Sequence, residues 1–118
     1  MVATSVVDTV LGRLWIISHG NDFDARVIEQ EAEWAAAECQ LPPGTYLNGW
    51  SLELHPELIR ANGSPTGWAK GTVYYKSKRI VVICGYRSYA GLVTTYATPG
   101  LISHEIQHAL LCIPNDAI

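Results

Sequence analysis

The pentapeptide His104-Glu105-Ile106-Gln107-His108 is where residue types and spacing in this sequence point most directly to chemistry. On an α-helix, four residues make a little over one turn, so His104 and His108 project from one face and can grip a single cation. Glu105 follows the first ligand, where its carboxylate can reach a water held by the metal. Zinc lowers the pKa of such a water toward neutrality, and the carboxylate takes its proton and later returns it to a leaving amine. The sequence therefore predicts Zn2+ as cofactor, His104 and His108 as metal ligands and Glu105 as general base. Catalytic zinc sites use three protein ligands and leave a position open. Asp116 is the only acidic side chain after His108, just past the helix break imposed by Pro114, and is the expected third ligand. His19, His55, a partner chain or a segment beyond Ile118 are the alternative suppliers.

These side chains need a helix under them. Thr98-Pro99-Gly100 reads as its start, with Thr98 as N-cap and Pro99 at the first position, where its missing N–H costs nothing. Leu101 to Cys112 continue it, and Ile102, Ile106, Ala109, Leu110 and Ile113 form an apolar stripe facing away from the ligands. Upstream, Leu14 to Ile17 reads as a strand buried on both faces, while Met1 to Leu11 fits either a helical turn or a strand extension. Ala25 to Gln40 is rich in helix formers, with N-caps offered by Asn21, Asp22 and Asp24. Its apolar face is expected at Val27, Ile28, Trp34 and Ala35, with Glu31, Glu33 and Glu38 mostly elsewhere as a solvated face. Trp50 to His55 alternates as a half-buried strand. Gly71 to Tyr75 and Arg79 to Cys84 flank Lys76-Ser77-Lys78 as a hairpin. Its first arm, marked by Lys70 and Lys76, suits a sheet edge, and its β-branched second arm suits the centre. The expected fold class is α/β in layers: a twisted mixed sheet with mostly parallel central strands and one antiparallel edge strand, a backing helix and the motif helix.

The motif, preceded by a Lys-edged hairpin and a central β-branched strand, resembles the amino-terminal half of zincin metallopeptidases. The likeness spans most of the chain in element order, but only His104 to His108 in specific residues. It implies one zincin-like catalytic domain over residues 1–118, an α+β arrangement, and zinc held by His104 and His108 with Glu105 as base. It also implies that the edge strand, at Gly71, Thr72, Val73 and Tyr74, receives an extended peptide by strand addition. Two departures narrow it. Leu111 and Pro114 stand where a metzincin has its turn glycine and third histidine, and no Glu follows His108 as a gluzincin requires.

Composition bounds the rest. The chain has 118 residues, 48% hydrophobic and 16% charged, which suits one folded domain. A net charge of −3 argues against a general nucleic-acid binder, and no basic run or 20-residue apolar stretch suggests a membrane. Cys39, Cys84 and Cys112 are odd in number and widely spaced, which reads as three buried thiols in a reducing compartment. Met1 to Ile17 lacks a basic start and is interrupted by Asp8 and Arg13, so no signal peptide is expected and the protein reads as intracellular. Tyr86, Tyr89, Tyr96 and Arg87 lie in the loop before the motif helix and are candidates for an oxyanion or carboxylate partner. The expected partner is a peptide or protein substrate. The rival readings are a binding or assembly module of the same fold, holding metal but hydrolysing little, and a metal-free domain.

Overall fold

A tight turn at Val10-Leu11 folds the amino-terminal segment onto itself. It pairs β1 (Ala3–Thr9) with β2 (Gly12–Ser18) in antiparallel register, from Ala3 opposite Ser18 to Thr9 opposite Gly12. The Thr9 hydroxyl closes the turn by donating to the Gly12 carbonyl and accepting the Leu11 N–H. Gly12 has φ of 117°, and a Cβ there would stand 2.7 Å from Asn48 Oδ1, so both conformation and space call for glycine. This computed structural model describes residues 2–19, 23–55, 59–60, 68–83 and 99–113.

After β2, α1 (Ala25–Cys39) starts at Asp24, whose carboxylate accepts the Arg26 N–H at 2.9 Å. The chain returns as β3 (Ser51–His55), followed by the two-residue strands β4 (Ile59–Arg60) and β5 (Trp68–Ala69), which pair with each other. β6 (Gly71–Tyr74) and β7 (Arg79–Ile83) form the expected hairpin, and α2 (Leu101–Ala109) carries the motif. The main sheet has the order β1-β2-β3-β7-β6. β2, β3 and β7 run parallel, while β1 and β6 are antiparallel. The mixed α/β class is as the sequence predicts, but both edges are antiparallel, not one. Met1 to Leu11 was ambiguous because β1 is an edge strand whose residues are mostly exposed, which leaves no clean alternation to read.

Side-chain parity divides the sheet. Leu14 and Ile16, Leu52 and Leu54, and Ile80 and Val82 are buried with Ile28, Ala32 and Ala35 of α1 and Ile102 and Ile106 of α2. Each such Leu or Ile contributes roughly 1.5–3 kcal/mol by leaving water. Both helices therefore cover the same face. The opposite face carries Trp15, which is 50% exposed, so the segment Leu14 to Ile17 is buried on one face only. The buried face of α1 is also rotated from the expected one: Ile28, Glu31, Ala32, Ala35 and Ala36 are buried, whereas Trp34 is 45% exposed.

Cys39, at the end of α1, and Cys112, just past α2, form a disulfide with Cα atoms 5.5 Å apart. This corrects the expectation of three buried thiols; Cys112 is exposed and Cys39 half-buried. Disulfides persist in oxidising compartments and are rare where glutathione keeps thiols reduced, so cysteine usage no longer supports an intracellular placement. Among the described residues, no helix is long and apolar enough to cross a membrane.

Candidate metal centre

α2 is set in place from both ends. Its N-cap is Gly100, in a left-handed conformation with φ of 87° and no side chain to cap the helix. The missing acceptor comes from α1. Glu31, only 3% exposed, accepts the Gly100 N–H through Oε2 and the Ser103 N–H through Oε1, each at 3.1 Å. A carboxylate at a helix start satisfies orphan N–H groups and complements the helix dipole. Glu31 is thus a buried cap and not part of a solvated face, and Leu101, not Pro99, begins the helix; Thr98 lies outside the described residues.

At the other end, Leu111 is left-handed with φ of 60°, and the Leu111 and Cys112 N–H groups return to the carbonyls of His108 and Gln107. This is the Schellman pattern, and it ends the helix at Ala109, three residues before the expected Cys112. The Tyr75 hydroxyl also donates to the His108 carbonyl at 2.8 Å, tying the last turn to the β6–β7 hairpin. Burial, and secondarily the charge of Glu105, raise the Tyr75 phenol above its ordinary pKa.

Between these anchors, His104 Nε2 and His108 Nε2 are 3.1 Å apart, with rings at 88°. Two nitrogens at about 2.0–2.1 Å from a tetrahedral zinc would lie roughly 3.3 Å apart, so the pair has the bite of a zinc ligand pair. One Glu105 oxygen and one ring nitrogen of each histidine lie within 4.8 Å of one another. His104 is exposed, while Glu105 and His108 are each 6% exposed. Burial pushes the Glu105 carboxyl up to about 7. Its position depends on β6: a Cβ at Gly71 would stand 2.7–2.8 Å from Glu105 Cγ, Cδ and Oε1. Glu105 therefore lies against the edge strand where a glycine leaves room.

The remaining predicted residues fall as follows. Gly71, Thr72, Val73 and Tyr74 form β6, the edge strand, with Gly71, Thr72 and Val73 half-buried and Tyr74 exposed. Asp116, Tyr86, Tyr89, Tyr96 and Arg87 lie outside the described residues. His19 and His55, named as alternative ligands, instead converge on Glu53. His19 Nε2 is 3.2 Å and His55 Nε2 3.8 Å from Glu53 Oε1, and Arg79 Nε donates to Oε2. Burial alone would raise Glu53, but hydrogen bonds from Arg79 and His19 outweigh it and hold the carboxyl below its ordinary pKa. Burial, then the neighbouring His19, lower His55. The sequence marked both histidines but not Glu53. The signal was available, since Glu53 and His55 share one face of a strand two residues apart.

Comparison of the chain with protein-family models, curated proteins and solved structures gives no match.

Proposed function

We propose that the chain is a zinc-dependent peptidase, a minimal relative of the zincins, that hydrolyses peptide bonds. The observation that carries this reading is the convergence of His104 and His108 Nε2 at 3.1 Å beside the Glu105 carboxylate. Zinc, when bound, supplies a Lewis acid for the scissile carbonyl and makes water a nucleophile near neutral pH. The chain's own residues do the rest. His104 and His108 hold the ion as neutral imidazoles, and Asp116 is the proposed third ligand, its charge offsetting part of the dication's. Glu105 takes the proton of the attacking water and passes it to the departing amine nitrogen. An extended peptide adds to β6, the edge strand among the described residues, through main-chain hydrogen bonds, which recognise backbone with little demand on sequence. Gly71 sets that strand directly against Glu105, so a peptide along β6 runs past the base.

Competition with a chelating dye tests the ligand set. His104→Ala/His108→Gln should bind one zinc equivalent fewer than wild type. Asp116→Asn should weaken that site, whereas Asp24→Asn, at the α1 cap, should not. An unchanged zinc equivalence in the double variant would refute the site. An unchanged affinity in Asp116→Asn would move the third ligand elsewhere.

A further inference from the structure

Leu52 and Leu54 of β3 point into the core that α2 shares, so Glu53 and His55 emerge on the opposite face of the sheet. His19 follows the last residue of β2 and meets them there, its N–H bonded to the Leu54 carbonyl at 3.1 Å. The imidazoles of His19 and His55 stack, with centroids 4.0 Å apart and planes at 20°. Both present Nε2 to the same atom, Glu53 Oε1.

We propose that His19, Glu53 and His55 form a second divalent transition-metal site, open to solvent and separated by the sheet from the His104–His108 pair. Three donor atoms lie within 4.8 Å of one another. The nitrogen-to-oxygen separations of 3.2 and 3.8 Å bracket the roughly 3.3 Å expected for adjacent ligands of a tetrahedral ion. Two imidazoles and one carboxylate select zinc-like or iron-like cations over calcium and magnesium, which prefer oxygen shells.

Arg79 completes the arrangement. Its guanidinium takes Glu53 Oε2 and lies 5.1 Å from the Tyr74 ring centroid, so the carboxylate is fixed with Oε1 toward the histidines. The same positive charge offsets that of Glu53 and makes this site weaker than one with an unpaired carboxylate. His19 and His55 are 30% and 28% exposed, leaving coordination positions accessible to water or a small anionic ligand. The site also stands at the carboxyl ends of the parallel strands β2 and β3, where open α/β sheets place their ligands. Without a metal role, this cluster would be an ion-pair network joining strand ends, and metal titration separates the two.

The full chain carrying His104→Ala/His108→Gln, stripped with chelator, should still bind one Zn2+ and give a Co2+ visible absorption band on titration. Adding His19→Ala and His55→Ala should remove both signals, and Glu53→Gln should weaken binding at least about tenfold. No binding in the double variant, or binding that survives loss of His19 and His55, overturns the proposal. Should the quadruple variant lose its far-ultraviolet circular dichroism, His19→Asn in the same background decides. Affinity weakened about tenfold supports the site, and unchanged affinity overturns it. The first site is disabled in every sample, so failure here leaves the peptidase reading untouched.

Discussion

The base role proposed for Glu105 depends on a neighbouring residue with no side chain. Gly71 contributes no ligand and no proton, yet a methyl group there would occupy the space of Glu105 Cγ, Cδ and Oε1. Gly71→Ala should leave zinc bound and cost little stability, because the displaced atoms end a flexible side chain. Its kcat/KM toward peptides should fall by about 100-fold, the cost of misplacing a reacting group by roughly an ångström. Unchanged kcat/KM would mean that Glu105 does not act from this position. The spacing of His104, Glu105 and His108 was legible from helix periodicity alone. The Gly71–Glu105 contact was not, since it joins residues 34 positions apart through a packing that no local pattern encodes. Glu53 was missed for a related reason. A charged residue in a strand reads as solvent-facing, and only its three partners explain its burial.

Helix α2 was legible as a helix but not in how it is held. Thr98-Pro99 carries a good local start signal, yet the acceptors for the Gly100 and Ser103 N–H groups come from Glu31, about 70 residues upstream. A buried carboxylate on a helix mimics a solvated one in sequence, so α1 read as having an acidic outer face. Glu31→Ala removes two charge-assisted hydrogen bonds and leaves two donors without acceptors, and it should lower unfolding stability by about 2–4 kcal/mol. Glu33→Ala, at an exposed position of the same helix, should change it by less than about 0.5 kcal/mol. Urea denaturation of both variants measures the difference, and equal effects would remove Glu31 as the cap. The ends of both helices were hidden likewise: Gln40 and Leu111 take left-handed conformations that sequence reading assigns first to glycine.

At the scale of the molecule, the parallel pairing of β2 and β3 was predictable from strand–helix–strand succession and the central place of β7 from its β-branched run, whereas the β1 edge and the Cys39–Cys112 crosslink were not. Three cysteines give no unique pairing, and two of them meet only because α1 and α2 end side by side. The bridge closes a separation of 73 residues, for which loop-closure entropy gives about 4 kcal/mol. Cys39→Ser/Cys112→Ser should therefore lower the unfolding free energy obtained from urea denaturation by that order, and an unchanged free energy would show that the helix ends are held without it. The function proposed for the chain is that α2 presents a zinc-binding pair and a base to a peptide laid on β6. The most direct test measures cleavage of a broad peptide library by zinc-loaded wild type and Glu105→Gln, with zinc content determined on the same samples. The wild type should cleave the library and, at equal zinc, Glu105→Gln should react at least about 100-fold more slowly. A wild type that holds zinc yet cleaves nothing, or a Gln variant that cleaves at the wild-type rate, would contradict it.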